Sequence, residues 1–201
     1  LQWALGDGHL LIAGSPGAGV TSTIHTLATH ALTHDDPSTT ALHVYVLDGR
    51  GDQRLTELTA LTGCVAVVRL HERERLMRLL HRLRRLTRAG MAQRSEIRVV
   101  LFIDGLDAVR RALDEVATAT EFDALEEVLA NGEAAGFTIV AGVEHAAAVP
   151  AGLLARCAHR WVMHLHDAHD ATVLGVAAAR VPAASVAGRL VVAASGLAAQ
   201  V

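Results

Sequence analysis

The sequence contains no lysine: all 18 basic residues among its 201 positions are arginine. No ammonium group can therefore be borrowed from elsewhere in the chain by a site that needs one. Aromatic residues make up only 3% of the chain, which leaves no row of rings on which single-stranded bases could stack. The two cysteines, Cys64 and Cys157, lie in apolar surroundings without a CxxC spacing. They read as buried reduced thiols rather than a disulfide or a metal site, and a cytoplasmic setting follows. The apolar run Leu10-Leu11-Ile12-Ala13 is too short for a membrane span or a signal sequence. The chain reads as a soluble piece of something larger, with any membrane anchor elsewhere. Its formal charge of −3 gives no general pull toward nucleic acid.

What is present is a chain with 51% hydrophobic residues, long enough to bury one sizeable core and too short for two comfortable domains. Residues 1–201 are expected to form a single domain. Apolar β-rich runs alternate with segments of helical period, the pattern of βαβ units feeding a mostly parallel sheet with helices on both faces, an α/β fold. Strands are expected at His9–Ala13, Ala41–Leu47, Val65–Leu70, Arg98–Asp104, Phe137–Val143, Arg160–Leu165 and Leu190–Ala194. Helices are expected from Thr21 to His34, ending at the turn cluster Asp35-Asp36-Pro37-Ser38, at Arg54–Leu61, and from Glu121 to Ala135 with Gly136 as the stop. Short helices are expected at Ala151–Ala158 and Ala168–Gly175. The clearest amphipathic segment places Leu76, Leu79, Leu80, Leu83 and Leu86 at helical spacing, with Arg78, Arg82 and Arg85 on another face. The alanine-rich stretch Ala177–Ala187 reads as a permissive connection.

The candidate nucleotide site begins after the first strand, at Gly14-Ser15-Pro16-Gly17-Ala18-Gly19-Val20-Thr21-Ser22. A working phosphate-binding loop reads G-x-x-x-x-G-K-S/T. Its glycines let backbone N–H groups point into a concavity, and the helix that follows adds partial positive charge. Gly14, Gly17 and Gly19 keep that backbone, and Thr21 keeps the hydroxyl that would touch magnesium. Val20 stands in the lysine's place and brings no charge. A lost charge-assisted hydrogen bond lowers affinity by roughly one to two decades, and catalysis falls further because the same cation stabilises the transferring phosphoryl group. Val99-Val100-Leu101-Phe102-Ile103-Asp104 is a strand ending in an acid, so Asp104 is the second candidate magnesium ligand. Gly105 follows where many such motors carry the glutamate that activates water; the nearby Asp107 could be recruited in its place, though a surface-loop acid is the favoured reading.

These motifs resemble the FtsK/SpoIIIE superfamily of P-loop motor domains over nearly the whole chain. "GHLLIAGSPGAG", "VVLFIDGLDAV", "GFTIVAGVEH" and "RWVMHLHDAHDATVLGV" carry the likeness. "GCVAVVRLHERERLMRLLHRL" and the closing "GLAAQV" are most similar to the ATPase modules of the EccC/EssC component of type VII secretion systems. The resemblance implies a RecA-like P-loop NTPase fold that takes ATP and magnesium, in a bacterial membrane-anchored protein with several consecutive modules. Active members form hexameric rings. Later modules are often degenerate, and one serves as a dock for the C-terminal signal of a WXG100-type substrate. This chain departs from the pattern at Val20, at Gly105, and at Val143-Glu144-His145, where a polar sensing residue is usual.

Other features read more simply. Arg73, Arg75, Arg78, Arg82, Arg84, Arg85 and Arg88 form a stripe interleaved with Glu72 and Glu74, and a solvated face is favoured over a grip on DNA. His164, His166 and His169 with Asp167 and Asp170 could be drawn as a metal site, but histidines are plentiful throughout. Arg156 and Arg160 could reach a neighbour's nucleotide or form local salt bridges. Trp3, Phe137 and Trp161 read as packing residues. Two functions follow. The favoured one is a degenerate module with weak or lost ATP binding that regulates, or docks substrate for, a translocase. The other is an active ATP-driven motor that moves DNA or protein as a hexameric ring.

Overall fold

The computed structural model describes residues 3–34, 41–92, 97–116, 119–184 and 186–201. Its frame is an eight-stranded sheet. The strands are β1 (Leu10–Ala13), β2 (Ala41–Asp48), β3 (Cys64–Arg69), β4 (Ile97–Asp104), β5 (Phe137–Val143), β6 (His159–Val162), β7 (Arg189–Val192) and β8 (Ala198–Gln200). They lie in the order β3-β2-β4-β5-β1-β6-β7-β8. The pairings from β3 to β6 are parallel, and β7 and β8 add an antiparallel margin. The helices are α1 (Val20–His34), α2 (Gln53–Glu57), α3 (Arg73–Ala92), α4 (Leu106–Val116), α5 (Ala119–Asn131), α6 (Ala151–Arg156) and α7 (Ala168–Val173).

The central strands are apolar on both faces because both faces are covered. In β4, Val99, Leu101 and Ile103 enter one buried cluster with α3, α4 and α5, while Val100 and Phe102 enter the other with α1 and α2. That alternation is the two-residue period of a strand sorting side chains onto two layers. In α3, Leu76, Leu79, Leu80 and Leu83 are buried as their spacing predicts.

The structure departs from the sequence-based expectation at several boundaries. Helix α4 was not expected: only Leu106, Val109 and Leu113 mark its buried stripe, spread over two turns among charged residues. Helix α5 ends at Asn131, earlier than Ala135, because residues 132–136 turn back and the Phe137 N–H donates to the Gly132 carbonyl at 2.8 Å, with Gly136 at φ +83°. Strand β6 stops at Val162, paired with Ala13, where β1 gives way to the glycine loop. Strand β8 was also missed; Gly196, at φ +67°, turns the chain into it. The turn cluster Asp35-Asp36-Pro37-Ser38 lies outside the described residues.

This topology decides where the chemistry sits. Parallel strands deliver their carboxyl ends to one edge of the sheet, and ligands of open α/β sheets bind beyond that edge. Here the edge collects Ala13 with the following loop, Asp48, Asp104 and Val143. Asp48 and Asp104 are cross-strand partners, and the Gly14 N–H donates to the Val143 carbonyl at 3.0 Å.

Candidate functional site

The candidate phosphate loop runs from Gly14 to Gly19, between β1 and α1. Gly17 (φ +82°) and Gly19 (φ +106°) occupy conformations that a side chain would strain. Ser15 is buried; its N–H donates to the His164 carbonyl at 2.8 Å, and its hydroxyl accepts the His166 N–H at 2.9 Å. The far side of the loop is held by the chain before β7, where the Gly188 N–H donates to the Ala18 carbonyl at 2.8 Å. A Cβ on Gly19 would sit 2.8 Å from that same nitrogen. The connection through Ala187 is therefore more than permissive: Ala187 lines the cleft and Gly188 braces the loop.

Val20 is a core residue. Only 5% of it is exposed, and Cβ atoms on Gly14 or Gly142 would approach its methyl groups to 2.9 and 2.7 Å. The position that would carry the phosphate-binding cation is thus committed to packing α1 against the sheet.

The next residue keeps its polar role. The Thr21 hydroxyl donates to Asp104 Oδ2 at 2.8 Å, and Asp104 Oδ1 is buried without a hydrogen-bond partner. A hydroxyl and an under-satisfied carboxylate oxygen at the mouth of a phosphate cradle are the donor set that a magnesium ion takes. Thr21 and Asp104 would hold such an ion, whose chemistry would be to neutralise phosphate charge. Burial pushes the Asp104 carboxyl up to about 6, against the Thr21 hydrogen bond and the Arg50 charge, which pull it down.

The sequence reasoning missed two arginines that complete the site. Asp48, buried at the end of β2, accepts the N–H groups of Arg50, Gly51 and Asp52 on one oxygen, at 3.1, 2.6 and 3.3 Å. This fixes the loop leaving β2, and the adjacency of β2 and β4 carries Arg50 to Asp104. Arg50 Nε lies 3.9 Å from Asp104 Oδ1, Nη2 lies 3.8 Å from Asp107 and Nη1 lies 3.7 Å from Glu144. Arg54 is gripped by Asp52, Nη2 to Oδ2 at 2.7 Å and Nε to Oδ1 at 3.0 Å, and its Nη1 donates to the Ser22 hydroxyl at 3.1 Å. Together with Gly14–Gly17 and Gly19–Ser22, these arginines line a cleft of about 220 Å³. The signal was in the sequence, in Asp48-Gly49-Arg50-Gly51 at a strand end, but only the strand order shows what it faces.

Asp107 is not the surface acid that the sequence suggested. At the start of α4 its side chain is 10% exposed and it accepts the Glu144 N–H at 3.4 Å. Glu144, at the departure from the family pattern after β5, faces the same guanidinium. His145 turns away, with Nδ1 3.2 Å from Asp170 Oδ2.

The remaining candidates are tied up locally. Arg160 donates to the carbonyls of Cys157 and Leu154, both at 3.0 Å, closing the end of α6. Arg156 donates to the Gly152 carbonyl at 3.1 Å. The rings of His164 and His166 meet edge to face, and His164 Nδ1 lies 3.1 Å from the Pro182 carbonyl. Among the described residues no cluster of three or more histidine, cysteine or acidic side chains is arranged to hold a metal. On α3, Arg75 pairs with Glu72 and Arg78 with Glu74, Arg84 and Arg88 share Glu127 of α5, and Arg82 donates to the Tyr45 hydroxyl at 2.9 Å, so most of the stripe is engaged by partners within the chain. Cys157 is buried, which pushes its thiol up to about 12, and Cys64 is half-buried and free. Trp161 and Phe137 are core residues. No helix among the described residues is long and apolar enough to cross a membrane.

With the geometry in place, the comparisons with known proteins are specific. The model of the FtsK/SpoIIIE family matches residues 2–197. The cytoplasmic domain of the Thermomonospora curvata type VII secretion ATPase EccC superposes with a TM-score of 0.77 at 20% identity, covering 98% of this chain and 24% of that one. ATPases 2 and 3 of the same organism's EccC, solved with a signal sequence peptide, give 0.74 at 17% identity, over 94% of this chain and 36% of that one. ATPases 2 and 3 of EssC from Geobacillus thermodenitrificans give 0.72 at 18% identity, over 98% and 39%. The chain thus spans well under half the length of these neighbours, and at such identities the likeness shows the fold. A comparison with curated protein sequences finds no match.

Proposed function

Since the chain belongs to the FtsK/SpoIIIE family, we propose that it is a degenerate ATPase module of a type VII-like secretion translocase. In this reading it binds ATP and magnesium weakly or not at all, hydrolyses none alone, and serves as a regulatory or substrate-docking domain. The observation that carries the reading is the packing of Val20. A valine packed between Gly14 and Gly142 supports this reading, because the position that would carry the lysine contributes to the core instead. Gly105 adds to this, because the strand end at Asp104 is followed by no carboxylate to activate water. Two acids that flank Arg50, Asp107 and Glu144, both face its guanidinium.

The parent protein in this reading is a longer, membrane-anchored bacterial chain, and residues 1–201 are its cytoplasmic single-domain module. Its partners are the other ATPase modules of the same chain or ring and a WXG100-type secreted substrate, and DNA is disfavoured by the paired arginines of α3. The solved complex of EccC with a signal sequence peptide supports the docking role by analogy.

Calorimetric titration with Mg-ATP tests the reading. The unmodified domain is expected to bind one to two decades more weakly than a lysine-bearing loop would, with no phosphate release. Val20→Lys is expected to strengthen binding without restoring turnover. Tight binding with turnover in the unmodified domain would refute the proposal and favour an active motor, as would a stable nucleotide-dependent hexamer in light scattering.

A further inference from the structure

We propose that His30 and His34 form a chelating pair that takes a divalent transition-metal ion at the C-terminal end of α1. The site stands at the opposite end of the helix from the glycine loop, and it does not depend on whether nucleotide binds.

Three observations carry it. First, the two residues are four apart on α1, so the helical period places them one above the other on the same face. Their rings stack, with centroids 4.1 Å apart and planes 8° from parallel. Two imidazole nitrogens on one tetrahedral ion stand about 3.4 Å apart when each bond is about 2.1 Å long. The stacked pair reaches that separation by tilting its rings toward one another, and the helix backbone need not move.

Second, the hydrogen bonds of His34 assign its proton. Nδ1 lies 3.3 Å from the His30 carbonyl oxygen and 2.8 Å from the Thr33 hydroxyl. A carbonyl only accepts, and the Thr33 hydroxyl gives its own hydrogen to the Thr29 carbonyl at 2.8 Å. Nδ1 therefore carries the hydrogen and donates it to these oxygens, which leaves the lone pair on Nε2. A ring N–H donated to a main-chain carbonyl is how metal-binding histidines are held in the ligating tautomer.

Third, the surroundings suit an ion. Both histidines are exposed, and they line a cavity of about 320 Å³ together with Trp3, Leu27, Ala31 and Arg98, the last engaged within the chain. The cavity has room for the waters that complete the coordination. His34 is the last residue of α1, where unpaired carbonyls give the helix end a partial negative charge that favours a cation. Imidazole selects zinc, copper or nickel over magnesium, so this ion differs from the one that Thr21 and Asp104 would hold. No group of three or more ligating side chains forms among the described residues, so the pair supplies two ligands and water the rest. Such an ion would tie together residues one turn apart and pin the last turn of α1 against fraying.

The test is calorimetric titration of the metal-free 201-residue chain with zinc chloride. The wild type is expected to bind with a dissociation constant in the micromolar range. His30→Asn and His34→Asn are each expected to weaken that binding by about tenfold or more, whereas His71→Asn, at an exposed histidine elsewhere, is expected to bind as the wild type does. Zinc is also expected to raise the melting temperature of the wild type and of neither α1 variant. Because both side chains are exposed, the metal-free variants should melt where the wild type melts, which separates lost binding from a folding defect. The proposal is overturned if the wild type shows no saturable zinc binding, or if either α1 variant binds as the wild type does.

Discussion

The two ends of the central sheet handle buried polar groups in opposite ways. At the carboxyl ends of β2 and β4 stand two buried carboxylates. Each has one oxygen engaged and the other without a hydrogen-bond partner: Asp48 Oδ1 accepts three backbone N–H groups while Oδ2 faces Arg69 Nε at 3.4 Å, and Asp104 Oδ2 accepts the Thr21 hydroxyl while Oδ1 faces Arg50 Nε at 3.9 Å. At the amino end of β1 stands His9, 1% exposed, whose Nδ1 accepts the Ile139 N–H at 3.2 Å and is therefore unprotonated there. Burial lowers the affinity of His9 for a proton and raises that of Asp104. Gly19 and Gly6 also differ. Gly19 at the carboxyl end is pressed against Gly188, whereas a Cβ on Gly6, near the amino end, would meet nothing within 4 Å. Both ends hold a buried polar atom without a partner, His9 Nε2 at one and Asp104 Oδ1 at the other, and what sets the carboxyl end apart is that its acids stand beside a glycine loop and an open cleft.

The sharpest way to break this contrast is at the glycines. Gly19→Ala combines a left-handed backbone with backbone contact at 2.8 Å, and is expected to cost about 3 kcal/mol. In a domain of this size that lowers the melting temperature by about 10 °C. Gly6→Ala is expected to leave it nearly unchanged. Equal losses in thermal melts would end the distinction.

Val20→Lys comes next. Removing a buried valine and forcing a charged chain out of the core is expected to destabilise by about 2 kcal/mol, measured by urea unfolding. A neutral effect would mean that Val20 is not the packing residue described here.

The pH dependence of stability distinguishes the two ends by sign. His9 holds its proton less well when folded than at its ordinary 6.5, so the unfolded chain is protonated first. Its contribution is present above pH 6.5 and is lost as the pH falls below it, by at most about 1.4 kcal/mol per pH unit. Asp104, raised from 3.8 to about 6, does the reverse. The folded chain holds the extra proton between those values, so its share of stability is larger at pH 5 than at pH 7.5 by about 1 kcal/mol. Relative to wild type, His9→Gln should therefore gain stability on acidification from pH 7.5 to 5, and Asp104→Asn should lose it. Parallel shifts of both variants in unfolding curves would contradict the assignment. The smallest effect is expected on α3, where Arg78→Ala removes an exposed pair with Glu74 at 3.7 Å and should leave the melting temperature unchanged in physiological salt.

Much of this end of the molecule was legible in the sequence, because its motifs are local. The glycine spacing from Gly14 to Gly19, the hydroxyl of Thr21 and the apolar run ending in Asp104 each declare themselves within a few residues, and the sheet brings Thr21 and Asp104 into hydrogen-bond contact. Arg50 and Arg54 were not legible as site residues, and Glu144 was marked only as part of the departure at Val143-Glu144-His145. They meet the loop only because β2 lies beside β4, and β4 beside β5, an order that periodicity does not encode. Asp107 was misjudged for a related reason: the short apolar stripe of α4 concealed that it begins a helix packed under the site. Ala187 was passed over because nothing in an alanine-rich connection marks the one residue that closes a cleft.

The central claim is that the phosphate cradle has outlived its catalytic cation, and phosphate release from ATP in magnesium by the unmodified chain tests it most directly. The account predicts release no faster than a buffer blank across protein concentrations, before and after Val20→Lys. Steady turnover that rises with protein concentration and vanishes in Asp104→Asn would contradict it.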